Sequence, residues 1–283
     1  MNPFIRKLIY RLFAWCPLPN LKAADVPIDV VIPIIRKDLR ILPLCLKGVR
    51  KCVVHTIKDI YIVAPKDDEI IQFCSSNKLI FVDEKEVFGF CPQDIGLEIS
   101  YPDGSIRDRS GWLFQQLVKL SGKIGSCRYY LCIDADHVLI RPHVFLTDKC
   151  ETVFYMSYEM NQPYYDNILR LIPGLKLSAL SYVDHKMLFD KNIITKLHLT
   201  LSPDSDDAWV KTIIDSYNRS CETGFSEFEL YGNFVKYKVL RPWLQKRLPY
   251  KMMSDYETLQ KKYNGSRWSL TFPDYMKQNK LCR

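Results

Sequence analysis

The stretch "YYLCIDADHVLIRP", Tyr129 to Pro142, runs five mostly apolar residues into two carboxylates separated by one alanine, then turns apolar again. A short apolar run ahead of a polar turn is the pattern of a strand buried on both faces of a sheet. Aspartates at i and i+2 where the chain leaves the sheet bring both side chains near one strand end. Hard divalent cations such as Mg²⁺ and Mn²⁺ take carboxylate oxygens and usually keep open positions for substrate phosphates. Asp134 and Asp136 therefore read as metal ligands of a diphosphate clamp. Any buried strand can end in a polar turn with two acids, so the flanking segments have to decide.

Upstream, "IDVVIPII" (Ile28 to Ile35) is a β-branched run suited to a buried parallel strand. Asp38 is placed to cap the helix that follows, with Pro43 in its first turn or at a kink. "DIYIVAP" (Asp59 to Pro65) reads as the next strand, "DDEIIQFCSS" as a short helix and "LIFVD" (Leu79 to Asp83) as a third strand. This βαβαβ order predicts a parallel sheet whose ligands bind outside the carboxyl ends of the strands. Next comes "SGWLFQQLVKLSG", a helix with Ser110 as N-cap and Gly122 as stop. Leu113, Phe114, Leu117, Val118 and Leu120 make one face, while Trp112, Gln115, Gln116 and Lys119 gather on the other. Two amides, an ammonium and an indole could contact a nucleotide or a phosphate; the alternative is a solvated face with Trp112 tucked into a neighbour.

Downstream of the aspartates, "SYVDHKMLFD" brings Asp184 and His185, and His185 could be a third metal ligand, an acceptor contact or neither. In "ETGFSEFELYGNF", Ser226 and Glu229 have capping-box spacing, which explains Glu229 structurally. Glu227 would sit in the first helical turn, where the dipole favours its ionised form, as a catalytic base or as simple dipole complementation. In "DDAWVKTIIDSY", Asp206 or Asp207 caps a helix whose Trp209, Ile213 and Tyr217 are expected in the core.

With 283 residues, 47% of them hydrophobic, the chain can bury a full core and reads as globular. Ten cysteines without a Cys-x-x-Cys pair give neither a zinc ribbon nor a redox motif, and no signal peptide is read, so the expectation is a reduced, cytoplasmic protein. A net charge of +8 favours anionic partners. Nucleic acid is not expected among them, for want of a zinc finger or an aromatic RNP signature. No GxGxxG or GxxxxGK[ST] occurs, so phosphate binding cannot rest on a glycine-rich backbone nest of the usual kind.

The N-terminal "NPFIRKLIYRLFAWCPLP" is too interrupted by Arg6, Lys7 and Arg11 to cross a bilayer. On a helical wheel Phe4, Ile5, Leu8, Ile9, Leu12, Phe13 and Trp15 share one half and the three basic residues the other. Such a helix suits the interface of an anionic membrane, here the inner face of the cytoplasmic membrane, or packs on the domain's own core. The expected organisation is an amphipathic basic helix over 1–20, a catalytic domain over 25–240, and a basic and aromatic extension over 241–283 that includes "RPWLQKRLPYKMM" and "MKQNKLCR".

Together "VVIPIIRKD", "GWLFQQLVKL", "YYLCIDADHVLIRP", "SYVDHKMLF" and "SEFELYGNF" resemble the GT-A-fold, Asp-x-Asp nucleotide-sugar glycosyltransferases, closest to a poorly characterised bacterial branch associated with surface polysaccharide synthesis. The resemblance covers about Asp25 to Leu240. It implies an α/β, Rossmann-like GT-A fold with a mixed sheet flanked by helices, and a nucleoside diphosphate sugar donor held through Mn²⁺ or Mg²⁺ at Asp134 and Asp136. It further implies that the loop after "VVIPII", including Pro33 and Arg36, lines the nucleotide pocket with Lys119 nearby, and that a carboxylate such as Glu227 serves inverting members as base. The acceptor would be a glycan or a lipid-linked hydroxyl. Two other readings remain open. A haloacid-dehalogenase-like phosphohydrolase would use Asp134 as nucleophile and Asp136 as general acid, with Lys186 and the Asp206-Asp207 pair as its later residues; a catalytically idle protein would keep the pocket for sugar-nucleotide binding.

Overall fold

The computed structural model describes residues 2–101, 103–203 and 208–277, so Asp206 and Asp207 and the last residues of "MKQNKLCR" lie outside the described residues. In chain order the elements leading to the site are α1 (Pro3–Trp15), β1 (Ile28–Pro33), α2 (Leu42–Cys52), β2 (Ile57–Ala64), α3 (Asp68–Ser76), β3 (Ile80–Asp83), α4 (Glu84–Phe88), β4 (Glu98–Ser100), β5 (Ile106–Asp108), α5 (Ser110–Leu120), β6 (Tyr129–Ile133) and β7 (His137–Leu139). They are followed by β8 (Thr152–Met156), α6 (Gln162–Leu171), β9 (Lys186–Asp190), α7 (Lys191–Leu201), α8 (Ala208–Ser216), α9 (Glu227–Phe234), β10 (Lys238–Pro242), β11 (Gln245–Arg247), α10 (Tyr256–Tyr263) and β12 (Ser269–Thr271).

The central sheet has the order β3-β2-β1-β6-β9. Its first four strands are parallel, as the βαβαβ order predicts, and β9 runs antiparallel to β6, making the sheet mixed. Ile28, Val30, Val31 and Ile32 of β1 and Leu131, Cys132 and Ile133 of β6 are fully buried, which is why these strands carry no polar alternation. Pro33 closes β1 beside Val63, a strand end where proline's missing N–H does little harm. Pro43 stands in the first turn of α2, where it is tolerated. Gly48 of the same helix lets α2 lie directly on β7, because a Cβ there would sit 2.8 Å from both the nitrogen and the oxygen of Leu139.

Among the described residues three smaller sheets accompany the central one. β8 pairs with β10, β4 with β5, and β11 and β12 extend from β7. Residues 245–272 therefore pack into the same core, with Leu248, Tyr250, Tyr256, Leu259, Leu270 and Phe272 buried. Trp209, Ile213 and Tyr217 are buried as expected.

Local capping differs from expectation at three places. Ser110 opens α5 but its hydroxyl accepts from the Leu97 amide at 2.8 Å, while Asp108 accepts from the Ser110 amide at 2.7 Å. Asp38 accepts from the Ile35 amide at 2.9 Å and so caps the 3-10 turn Arg36–Arg40 ahead of α2. Ser226 does accept from the Glu229 amide at 3.3 Å, but the Glu229 carboxyl points inward, receiving Tyr165 Oη at 2.8 Å and the Ser181 hydroxyl. Only half of the capping box forms, because Glu229 is fully buried.

That burial pushes the Glu229 carboxyl up to about 7, against the hydrogen bonds from Ser181 and Tyr165. Between the ordinary glutamate value and pH 7 the native chain holds a proton that the unfolded chain has released, so this residue makes stability fall as pH rises through that window. Glu229→Gln keeps an oxygen acceptor and removes the titration. In chemical denaturation the variant should gain about 1–3 kcal/mol relative to wild type between about pH 4.5 and pH 8; a pH-independent difference would refute the assignment.

Candidate active site

Two chain segments meet at the carboxyl end of β6. Asp134 and Asp136 lie in the turn between β6 and β7, and His185 immediately precedes β9. Because β9 is antiparallel to β6, its start lies beside the end of β6. The Asp134 amide donates to the His185 carbonyl at 2.9 Å, and His185 Nδ1 is 3.0 Å from Asp134 Oδ2. His185 adopts φ 58, the left-handed region that a side-chain-bearing residue enters at a cost of about 1–2 kcal/mol. The two contacts to Asp134 hold it there, and His137 stacks behind its ring at 5.8 Å while bonding Thr271 Oγ1 at 2.9 Å.

The inner side of Asp134 is neutralised by an ammonium. Lys119 Nζ, on α5, lies 2.7 Å from Asp134 Oδ1 and 2.8 Å from Glu227 Oε1 at the start of α9. Lys119 and Glu227 are almost wholly buried, whereas the Asp134 side chain is 30% exposed. With its amide turned so that both neighbours are satisfied, Gln116 donates to Glu227 Oε2 at 2.8 Å and to the Phe225 carbonyl at 3.1 Å. The Lys119 ammonium also sits 4.6 Å from the centre of the Phe228 ring.

These contacts fix the electrostatics. Burial alone would raise the Asp134 carboxyl, but Lys119 and His185 hold it well below the usual carboxylate range. Burial likewise opposes the Lys119 charge, yet Asp134 and Glu227 push its pKa above the ordinary lysine value. Asp136 has no such cation, and burial, helped by Asp134 and Asp38, pushes it up to about 6 despite His185. His185 is raised because its bond to Asp134 and the charges of both aspartates outweigh burial.

Asp134, Asp136 and His185 each offer a ligand atom, all within 4.8 Å of one another. Asp136 Oδ1 and His185 Nε2 are buried without a hydrogen-bond partner among the described residues. Two carboxylates and an imidazole converging with orphaned atoms fit a divalent cation of the Mg²⁺ or Mn²⁺ kind.

The other sequence-derived site residues fall around this cluster unevenly. Gln116 and Lys119 reach it as partners of Glu227 and Asp134 rather than across an open pocket. Glu227, expected as a base, is 3% exposed with both oxygens engaged, so its geometry is that of a counter-ion to Lys119. Trp112 is covered by Arg109, 4.7 Å away, and meets Tyr217 edge-on, while Gln115 beside it is half-buried. Pro33 ends β1. Arg36 turns to α3, bonding Glu69 with its Nε at 3.0 Å, and it is Asp38 of the same loop that adjoins the aspartates. Lys186, the lysine a phosphohydrolase would need, is buried and paired with Asp184.

Sequence inspection missed His137 and Thr271, which back His185, and it missed Arg247, whose paired bonds to Glu159 at 2.7 and 2.6 Å leave its charge close enough to oppose that of His185. His137 adjoins the motif and could have been flagged; Thr271 lies on β12, which pairs with β7, and Arg247 on β11, which pairs with β12, and neither pairing has a local signature.

Replacing Lys119 tests the triad directly. Lys119→Met leaves two carboxylates facing each other without a cation and should destabilise the fold by about 3–5 kcal/mol. Adding Glu227→Leu should return part of the loss, read as a coupling energy in a double-mutant cycle by chemical denaturation; additive effects would show that the pair does not interact.

No curated protein of known function matches this sequence. Among solved structures, mouse xyloside xylosyltransferase 1 in its apo form superposes over 89% of this chain and 99% of its own with a TM-score of 0.51 at 10% identity. The galactosyltransferase LgtC with donor and acceptor sugar analogs aligns at a TM-score of 0.44 and 11% identity over 87% of each chain. The apo glycosyltransferase GlyE of Streptococcus pneumoniae TIGR4 aligns at 0.42 and 11% over 90% of this chain and 57% of GlyE. The mixed sheet flanked by helices is thus a GT-A glycosyltransferase fold. Residues 26–264 match the model of DUF6492, a family of unknown function, and the chain belongs to that family.

Proposed function

We propose that this chain is a metal-dependent glycosyltransferase that moves a sugar from a nucleoside diphosphate sugar to a hydroxyl of a glycan or lipid-linked acceptor in surface polysaccharide synthesis. The observation that carries the reading is the convergence of Asp134, Asp136 and His185, with orphaned ligand atoms, at the strand end where the GT-A fold opens. Asp134, Asp136 and His185 would hold a divalent cation, Mn²⁺ or Mg²⁺, which would supply Lewis-acid neutralisation of a leaving diphosphate.

The chain's own residues set the charge around that cation. Lys119 cancels the inner side of Asp134 and is itself held by Glu227, so the Asp134 carboxylate stays ionised with its second oxygen toward His185. His137 and Thr271 fix the plane of the His185 ring, leaving Nε2 free to act as a ligand. Asp38, in the loop after β1, is near enough to both aspartates for their charges to act on one another, and the donor's nucleoside would lie on that side.

The position of α1 favours a peripheral role on the inner face of the cytoplasmic membrane, where lipid-linked acceptors reside. No helix among the described residues is long and apolar enough to cross a bilayer.

Thermal-shift screening of nucleoside diphosphates and nucleotide sugars, each with Mn²⁺ and with EDTA, tests the proposal. One base should stabilise the protein only with metal, and Asp136→Asn should remove that shift while leaving the metal-free melting temperature within a few degrees. Stabilisation without metal, or none from any nucleotide, would overturn it; metal-dependent binding with no transfer to any acceptor would indicate a sugar-nucleotide-binding protein.

The role of Glu227 is separable by kinetics. Because Glu227 shares the Lys119 ammonium with Asp134, Glu227→Gln should leave Lys119 to Asp134 alone and raise the Mn²⁺ concentration needed for half-maximal transfer roughly tenfold. A fall in kcat at saturating metal with unchanged metal dependence would instead identify Glu227 as the base.

A further inference from the structure

Helix α1 is seated with an unexpected face inward. Arg6 and Tyr10 are buried, Arg6 Nε donating to the Ala179 carbonyl at 3.1 Å and Tyr10 packing on Tyr158. Ile9 and Phe13 join them against the core. Phe4, Ile5, Leu8, Leu12 and Trp15 point outward, with Phe4 74% and Trp15 87% exposed. At 3.6 residues per turn these five share an arc of about 100°, and Lys7 and Arg11, both exposed, lie along one edge of it. The helix thus has two apolar faces, and the core covers only one.

A cleft of about 530 Å³ opens at the C-terminal end of α1, on the side of the helix that Lys7 and Arg11 border. Ala14 and Cys16, the neighbours of Trp15, form one wall, and Arg141, Tyr155, Arg241 and Trp268 form the other. Arg241 is 6% exposed, and its guanidinium donates to the Pro19 carbonyl. Arg141 is half-buried, with its guanidinium 5.4 Å from the centre of the Trp268 ring. Among the described residues neither arginine forms an ion pair. A guanidinium held nine-tenths out of water without a counter-charge is unfavourable, and a phosphate offers both the charge and the forked acceptors that arginine matches.

We propose that this cleft is a lipid headgroup site: with the outward face of α1 lying in an anionic bilayer, the phosphate of a membrane lipid enters between Arg141 and Arg241. The inference deepens the peripheral-membrane part of the proposed function and depends on it, not on the metal site. An anionic bilayer is the occupant because basic residues border the apolar face and the adjoining cleft, and the chain as a whole carries +8. A chain of buried contacts leads from the cleft wall toward the candidate active site: Tyr155 lies 4.8 Å from Lys186 Nζ, whose carboxylate partner Asp184 precedes His185.

The test is cosedimentation of the full chain with phosphatidylcholine vesicles, with and without phosphatidylglycerol. Wild type should pellet with the anionic vesicles. Leu8→Glu with Leu12→Glu should abolish pelleting, and Arg141→Gln should lower the partition coefficient about fivefold. Lys196→Gln, on α7 and outside the cleft, is the charge-matched control. Equal losses from Arg141→Gln and Lys196→Gln would mean attraction by net charge alone and would overturn the headgroup site, as would full binding by Arg141→Gln. Absence of wild-type pelleting, or a concentration-dependent dimer dispersed by the Leu8 and Leu12 changes, would overturn the membrane surface and, in the second case, name another copy of the chain as occupant.

A soluble arm identifies the source of the phosphate. Dihexanoyl phosphatidic acid below its micelle concentration should raise the melting temperature of wild type but not of Arg141→Gln; an equal rise with inorganic phosphate would assign the cleft to free phosphate and overturn the lipid. Nucleotide-dependent stabilisation with Mn²⁺, measured on the same preparations, keeps failure of the lipid site distinct from failure of the transferase reading.

Discussion

The Lys119 ammonium, pinned between Asp134 and Glu227, is the interaction on which the site depends. It joins α5, the end of β6 and the start of α9 at one buried point. Two carboxylates and an ammonium out of water are tolerable only when each is met by a partner, and here Gln116 and His185 take up the remaining oxygens of Glu227 and Asp134. The result is an uneven distribution of charge. The inner half of the cluster is balanced by protein groups, while Asp136 on the outer half has burial and neighbouring acids against it. Such a site favours a cation from outside without needing one to hold its interior together.

The strands were legible because burial on both faces writes itself as short apolar runs, as in Val30 to Ile32 and Tyr130 to Ile133. Asp134 and Asp136 were legible for the same reason: two acids after such a run stand out. The helical wheel placed Gln116 and Lys119 on one face of α5, but nothing local tells a solvated polar face from one buried against carboxylates. The partner of Lys119 lies 108 residues away in Glu227, and His185 meets Asp134 across 51. Contacts of that span are set by tertiary packing. The left-handed backbone at His185 was likewise invisible, since histidine there carries no signal of the kind glycine gives.

Helix α1 shows a different failure of pattern reading. A wheel divides residues into apolar and polar, and so assigned Arg6 to the solvent side. In the structure Arg6 is buried and donates to the Ala179 carbonyl, so a basic residue takes an inward position that the wheel gives to apolar ones. The apolar residues it displaces are left facing outward.

The reversal of direction between β6 and β9 has a bearing on how the molecule is made. Asp134 stands where one strand leaves the sheet, His185 where its neighbour enters, and Thr271, which steadies His137 behind that histidine, comes near the end of the described chain. The corner that brings Asp134, His185 and His137 together is complete only once the C-terminal strand β12 has docked on β7, a contact across more than 130 residues. During synthesis the acids of the motif would emerge long before their completed surroundings, and a partly made chain would carry a sheet without a competent site.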